Sequence, residues 1–160
     1  MTAATVIRAE IDAVLADWAY YLDHGELDEL VELFTEDALL VSGDLEFRGR
    51  VKIKNRYVER TVVRTTRHTY SGLRVSAIEG DRETVPATAG DGAPRPVRVR
   101  AWSTWVNYAA NAAPPVEDVG VYVVADFDDV LTWCADERWR LSERRIIPVF
   151  RDLSRAPISA

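Results

Sequence analysis

Apolar residues recur at three- and four-residue spacing near the start of the chain. Ile7, Ile11, Val14, Leu15, Trp18 and Leu22 fall on one stripe of a helix. Gly25 stands just beyond the last of them, where a helix stop is expected. A second, shorter helix is predicted next, with Leu27, Leu30, Val31 and Phe34 on one side and Glu26, Asp28, Glu29 and Glu32 on the other. Ala38 to Val41 reads as a short strand, Ser42-Gly43-Asp44 as a turn, and Gly49 to about Val63 as a third helix carrying Val51, Ile53, Tyr57, Val58 and Val62.

From Thr66 the period changes from helical to alternating. Strands are predicted from there to about Ala77, then over Val97–Tyr108, Val119–Thr132 and Trp139–Phe150. The first connection, Asp81 to Pro96, holds Pro86, Gly90, Gly92, Pro94 and Pro96, and is longer than most hairpin loops. Ala112-Ala113-Pro114-Pro115 breaks the next pair, and Asp136-Glu137 makes the last turn. Helices first and long strands after them give an α+β fold, with three helices covering one face of a curved antiparallel sheet. Residues 1–160 are expected to form one domain.

Composition narrows the function. With 20 basic and 26 acidic residues the net charge is −6, which does not favour nucleic acid or an anionic membrane. One cysteine, Cys134, excludes an intrachain disulfide and a cysteine-based metal cluster. No signal peptide is evident at the N-terminus, and no apolar run approaches the ~20 residues that span a bilayer. A cytoplasmic protein is the simplest expectation. Gly90-Asp91-Gly92 lies between strands, so it is not a phosphate loop.

The chain has two histidines. His24, beside Gly25, is expected in solvent. His68 opens the first long strand, in Thr65-Thr66-Arg67-His68-Thr69-Tyr70, and Asp23 lies where the first helix runs out. An aspartate that orients an imidazole makes a general base. Asp also sits badly at a helix C-terminus, so something else must require it there. Asp126 and Asp128 share a strand face and are expected to meet basic residues on a neighbouring strand rather than a metal. Tyr20 and Tyr21 leave the helix about 100° apart, so at most one points fully into a pocket. Trp102 and Trp105 must take opposite faces of their strand. Tyr20, Tyr21, Trp102 and Phe127 are the candidate substrate-binding residues.

Tyr20 to Leu30, followed by Leu33-Phe34-Thr35-Glu36-Asp37-Ala38, resembles the opening of SnoaL-like proteins, in the superfamily named after nuclear transport factor two. Thr66-Arg67-His68 and Trp139 to Ile146 extend the likeness over nearly the whole chain. The resemblance implies a cone-shaped sheet around a deep apolar pocket. Scytalone dehydratase and related dehydratases place an Asp and a His at the positions of Asp23 and His68, although the second pocket histidine of scytalone dehydratase has no counterpart here. It therefore implies a lyase, isomerase or cyclase that needs no cofactor or metal and acts on a small apolar or aromatic molecule, with Asp23 and His68 catalytic. Two alternatives stay open: the non-catalytic small subunit of an aromatic-ring-hydroxylating dioxygenase, and a ligand-binding module. The uncovered sheet face, rich in Val, Tyr and Trp, points to a homodimer or homotrimer.

Overall fold

The computed structural model of the chain describes residues 2–59, 63–85 and 94–158. Helix α1 (Ala3–His24) is capped by the Thr2 side chain, which accepts from the Thr5 amide. It ends at Gly25, whose φ of 73° is left-handed. There the Glu26 amide reaches back to the Tyr21 carbonyl at 2.9 Å, closing the helix end. The buried stripe is Ile7, Ile11, Leu15, Trp18 and Ala19. Each fully buried large side chain of that stripe is worth about 2 kcal/mol relative to exposure.

Helix α2 (Leu27–Glu32) is followed by strands β1 (Phe34–Ser42) and β2 (Leu45–Arg48), then helix α3 (Arg50–Val58). The long strands are β3 (Thr65–Ala77), β6 (Arg98–Ala110), β7 (Val121–Trp133) and β8 (Trp139–Arg151). A two-residue pair, β4 (Thr84–Val85) and β5 (Arg95–Pro96), sits inside the long connection, of which residues 86–93 lie outside the described residues. A short 3-10 turn (Leu153–Arg155) follows β8.

The main sheet runs β2-β1-β8-β7-β6-β3. Its four long strands pair antiparallel, as expected, but β1 pairs parallel to β8, so the sheet is mixed. The expected antiparallel sheet thus carries one parallel pairing at β1. β1 enters the sheet through α2 rather than through a hairpin to β8, and that connection sets its direction. Phe34, assigned by periodicity to the second helix, opens β1 and is fully buried. The third helix stops at Val58; the expected continuation through Val62 lies outside the described residues, and Val63 is not helical.

Register shifts interrupt β3 between Ser71 and Arg74, where Gly72 has φ 66°, and interrupt β7–β8 twice. Such bulges add local twist and bend the strands into a cone. Along β6, and along β7 from Ala125 to Leu131, every second residue is buried. Ala101, Ser103 and Ala125 are small inward residues, whereas Trp105 and Phe127 are large. That alternation leaves room between the sheet and the helices α1 and α3. Among the described residues, no helix is long and apolar enough to cross a membrane.

Candidate active site

The space enclosed by the sheet is a cavity of about 590 Å³, within the range of small-molecule sites. Trp18 and Leu22 of α1, Tyr57 of α3, His68 of β3, and Trp105 and Asn107 of β6 form its deep wall. Phe127 and Ala125 of β7 complete it, and Pro157 and Ile158 return from the C-terminal segment to the same cavity.

Asp23 and His68 meet. His68 Nδ1 lies 2.6 Å from Asp23 Oδ1, the His68 backbone N–H donates to Oδ2 at 2.7 Å, and the Thr66 hydroxyl donates to Oδ1 at 2.7 Å. The helix end supplies the carboxylate and the strand start supplies all three donors, which offsets the poor electrostatics of Asp at a helix C-terminus. Only 5% of the Asp23 side chain and 6% of the His68 side chain remain exposed. Burial by itself pushes the Asp23 carboxyl up. The hydrogen bonds and charge interaction with His68, together with the Thr66 hydroxyl, outweigh it and hold the group below the usual carboxylate value. An ionised Asp23 requires the proton on Nδ1, which leaves Nε2 as the ring nitrogen with a lone pair.

Aromatic rings fix the imidazole from the other sides. Trp18 meets it edge-on at 5.4 Å and Trp105 at 6.5 Å. Trp105 in turn stacks on Phe127 at 4.8 Å and on Tyr70 at 4.6 Å. Tyr70 donates to Asp12, tying β3 to α1 at a second point. Behind this wall lies a fully buried ion pair. Arg144 donates to both oxygens of Asp129, at 2.8 and 2.7 Å, and its guanidinium lies 4.4 Å from the Trp18 ring centre and 4.8 Å from that of Phe127. Burial pushes the Asp129 carboxyl up even against its Arg144 partner. The expected pairing of the strand aspartates holds for Asp128, which accepts two hydrogen bonds from Arg100 on β6, while Asp126 accepts from Thr104.

Of the six residues singled out in the sequence, the structure places His68 and Phe127 in the cavity wall, joins Asp23 to His68 from outside the lining, and leaves Tyr20, Tyr21 and Trp102 out of the wall. Tyr20 is 52% exposed and stacks on His24, itself exposed, with ring centres 4.2 Å apart. Tyr21 is half-buried against the core. Trp102 lies on the outer face of β6, paired with Asp128 and Arg74, so Trp105 takes the inward place. Three positions along a strand reverse the face, and only the register shows which tryptophan points in.

Asn107 and Arg56 are polar cavity residues that the sequence did not point to. Asn107 pairs with His68 across β3–β6, is 7% exposed, and has a side-chain oxygen with no hydrogen-bond partner. It follows Trp105 by two residues, so its inward direction follows once that of Trp105 is known. Arg56 of α3 lines the cavity mouth three residues after the buried Ile53, on the same side of the helix. No sequence signal separates it from the other basic residues of that helix.

An α+β cone enclosing an apolar cavity, with a histidine in its wall hydrogen-bonded to a buried aspartate, defines the class of protein. The chain belongs to the SnoaL-like domain family, which matches it over residues 4–145. No sequence among curated proteins matches it. Similar solved structures include a candidate scytalone dehydratase from Novosphingobium aromaticivorans (16% identity, TM-score 0.70, covering 98% of this chain and 92% of that one). The beta subunit of a candidate aromatic-ring-hydroxylating dioxygenase from the same organism is similar too (19%, 0.68, 97% and 99%). So is a nuclear transport factor two-like protein with a cystatin-like fold, also from that organism (17%, 0.65, 92% and 85%). At these identities the likeness is one of fold, and the fold carries more than one function.

Proposed function

We propose that this protein is a cofactor-independent lyase, isomerase or cyclase that begins its reaction by removing a proton from carbon. The observation that carries the reading is the buried Asp23–His68 pair, with Nδ1 committed to the carboxylate and the imidazole in the cavity wall. In the proposed step, Nε2 takes a proton from a C–H made acidic by a neighbouring carbonyl, and the electron pair left on carbon delocalises onto the carbonyl oxygen. The imidazolium that forms is stabilised by ionised Asp23. Asn107, beside His68, supplies an amide that donates to the oxygen where charge collects. Loss of a β-leaving group, reprotonation at another carbon, or attack on a second carbonyl completes an elimination, isomerisation or cyclisation. Elimination is preferred, because the Asp–His positions match those of the dehydratases. The apolar, aromatic wall suits a cyclic substrate.

Solvent-deuterium exchange into cyclic ketones with acidic α-hydrogens tests the step without knowledge of the natural substrate. Wild type is expected to accelerate exchange, with a loss on the order of 10²-fold or more in His68→Ala and Asp23→Asn. Near-full exchange in either variant would sink the pair as the base.

One observation favours a second reading. The dioxygenase beta subunit matches this chain along almost the whole of both. In that reading the segment around His68 serves assembly, and co-purification with a larger iron–sulfur subunit would establish it.

A further inference from the structure

Most of the buried and half-buried arginines among the described residues have a carboxylate. Arg50 pairs with Glu32, Arg95 with Glu10, Arg140 with Asp136 and Arg144 with Asp129. Arg56 differs. It stands at the cavity mouth, half-buried, with no carboxylate within 4.0 Å among the described residues. Its Nη2 donates to the Ser42 hydroxyl at 2.8 Å, its guanidinium lies 4.9 Å from the Phe47 ring centre, and its Nε is buried with no hydrogen-bond partner. Ser42 and Phe47 also line the cavity. Stacking and one neutral hydroxyl hold the fork in place, yet leave its charge uncompensated and one donor unused. A buried donor left unmade costs about 1–3 kcal/mol, more for a charged group; Arg64 Nε and Arg144 Nη1 are also left unmade, but Arg56 alone of these three lines a cavity that a ligand can enter.

We propose that the cavity mouth is an anion subsite built on Arg56, and that the ligand is a cyclic molecule bearing a carboxylate or an equivalent acidic oxygen group. The proposal rests on the reading that the cavity takes a small apolar cyclic molecule, and adds the charged end of that molecule. Arg151 lines the same rim and is exposed, so it adds attraction without orientation. Glu59 is the one carboxylate among the cavity-lining residues; it is exposed, and water and salt screen it. The guanidinium is planar and offers a fixed fork, which suits a carboxylate better than a hydroxyl. The cavity then has two polar groups of different kinds in its lining. His68 and Asn107 face the reacting carbon, and Arg56 holds the acid and fixes the direction in which the ring body enters.

The test uses a matched pair of bicyclic probes, 2-naphthoate and 2-naphthamide, which differ in charge and hardly in shape. Binding to the full chain is followed by quenching of Trp18 and Trp105 fluorescence at neutral pH. Wild type is expected to bind the acid about 10- to 100-fold more tightly than the amide. Arg56→Gln should remove that preference by weakening binding of the acid far more than that of the amide, and Arg56→Lys should keep part of it. Equal affinities in wild type, or a preference that survives Arg56→Gln, would overturn the anion subsite and leave the apolar cavity standing. If neither probe binds wild type, the reading of the cavity as a site for cyclic molecules fails, and the subsite fails with it. The wild-type comparison decides the matter even if Arg56→Gln proves unstable.

Discussion

Asp23 is a residue whose cost at one level is offset at another. At the end of α1 it opposes the helix dipole, and in its buried place it loses water. Three donors from β3 more than restore what is lost, and its carboxyl is held below the usual value of 3.8. A group with a lowered folded pKa contributes stability above its unfolded pKa, and that stability is lost as pH falls through the folded value. Wild type should therefore lose stability on acidification below about pH 4, and Asp23→Asn should lose less over the same range. Urea midpoints measured between about pH 6 and pH 2 check this; parallel curves would refute it. Asn107→Leu keeps the number of side-chain heavy atoms and removes the amide. Its expected effect is a fall in kcat on the order of 10²-fold with little change in fold stability, read from kinetics once a turnover substrate is in hand.

At the scale of elements, the buried Arg144–Asp129 pair joins β8 to β7 directly behind the aromatic wall. Arg144→Met leaves a buried carboxylate alone and is expected to destabilise the fold by about 3–5 kcal/mol. The double variant Arg144→Met with Asp129→Leu should recover much of that loss, a coupling that a double-mutant cycle in urea measures. The elements themselves were largely legible. The apolar stripe from Ile7 to Leu22, the stop at Gly25 and the alternation of β6 to β8 all follow from period and turn chemistry. The parallel β1–β8 pairing and the bulge at Gly72 were not, because each depends on which strands meet and not on any local pattern. The same limit applies to the site. Asp23 and His68 could be picked out because an Asp at a helix end and one of only two histidines are rare features, whereas the choice between Trp102 and Trp105 turned on register alone.

For the whole molecule, the helices cover the inner face of the sheet and leave the outer face with exposed apolar groups. Tyr108, Ile147, Val149 and Phe150 are each 39–70% exposed. A patch of this kind is expected to be buried between copies as a homodimer or homotrimer. Light scattering should give twice or three times the chain mass of 18.0 kDa, and Ile147→Glu with Phe150→Glu should give the monomer. A monomeric wild type at high concentration would contradict this.

The proposed reaction requires that Asp23 fix the tautomer of His68 so that Nε2 is the base. Nitrogen-15 NMR of the imidazole rings tests it most directly, with His24→Gln used to assign the two histidines. At a pH where the ring is neutral, His68 should carry its proton on Nδ1 and show an unprotonated Nε2, and Asp23→Asn should abolish that preference. A His68 protonated on Nε2, or a tautomer ratio that Asp23→Asn leaves unchanged, would contradict the account.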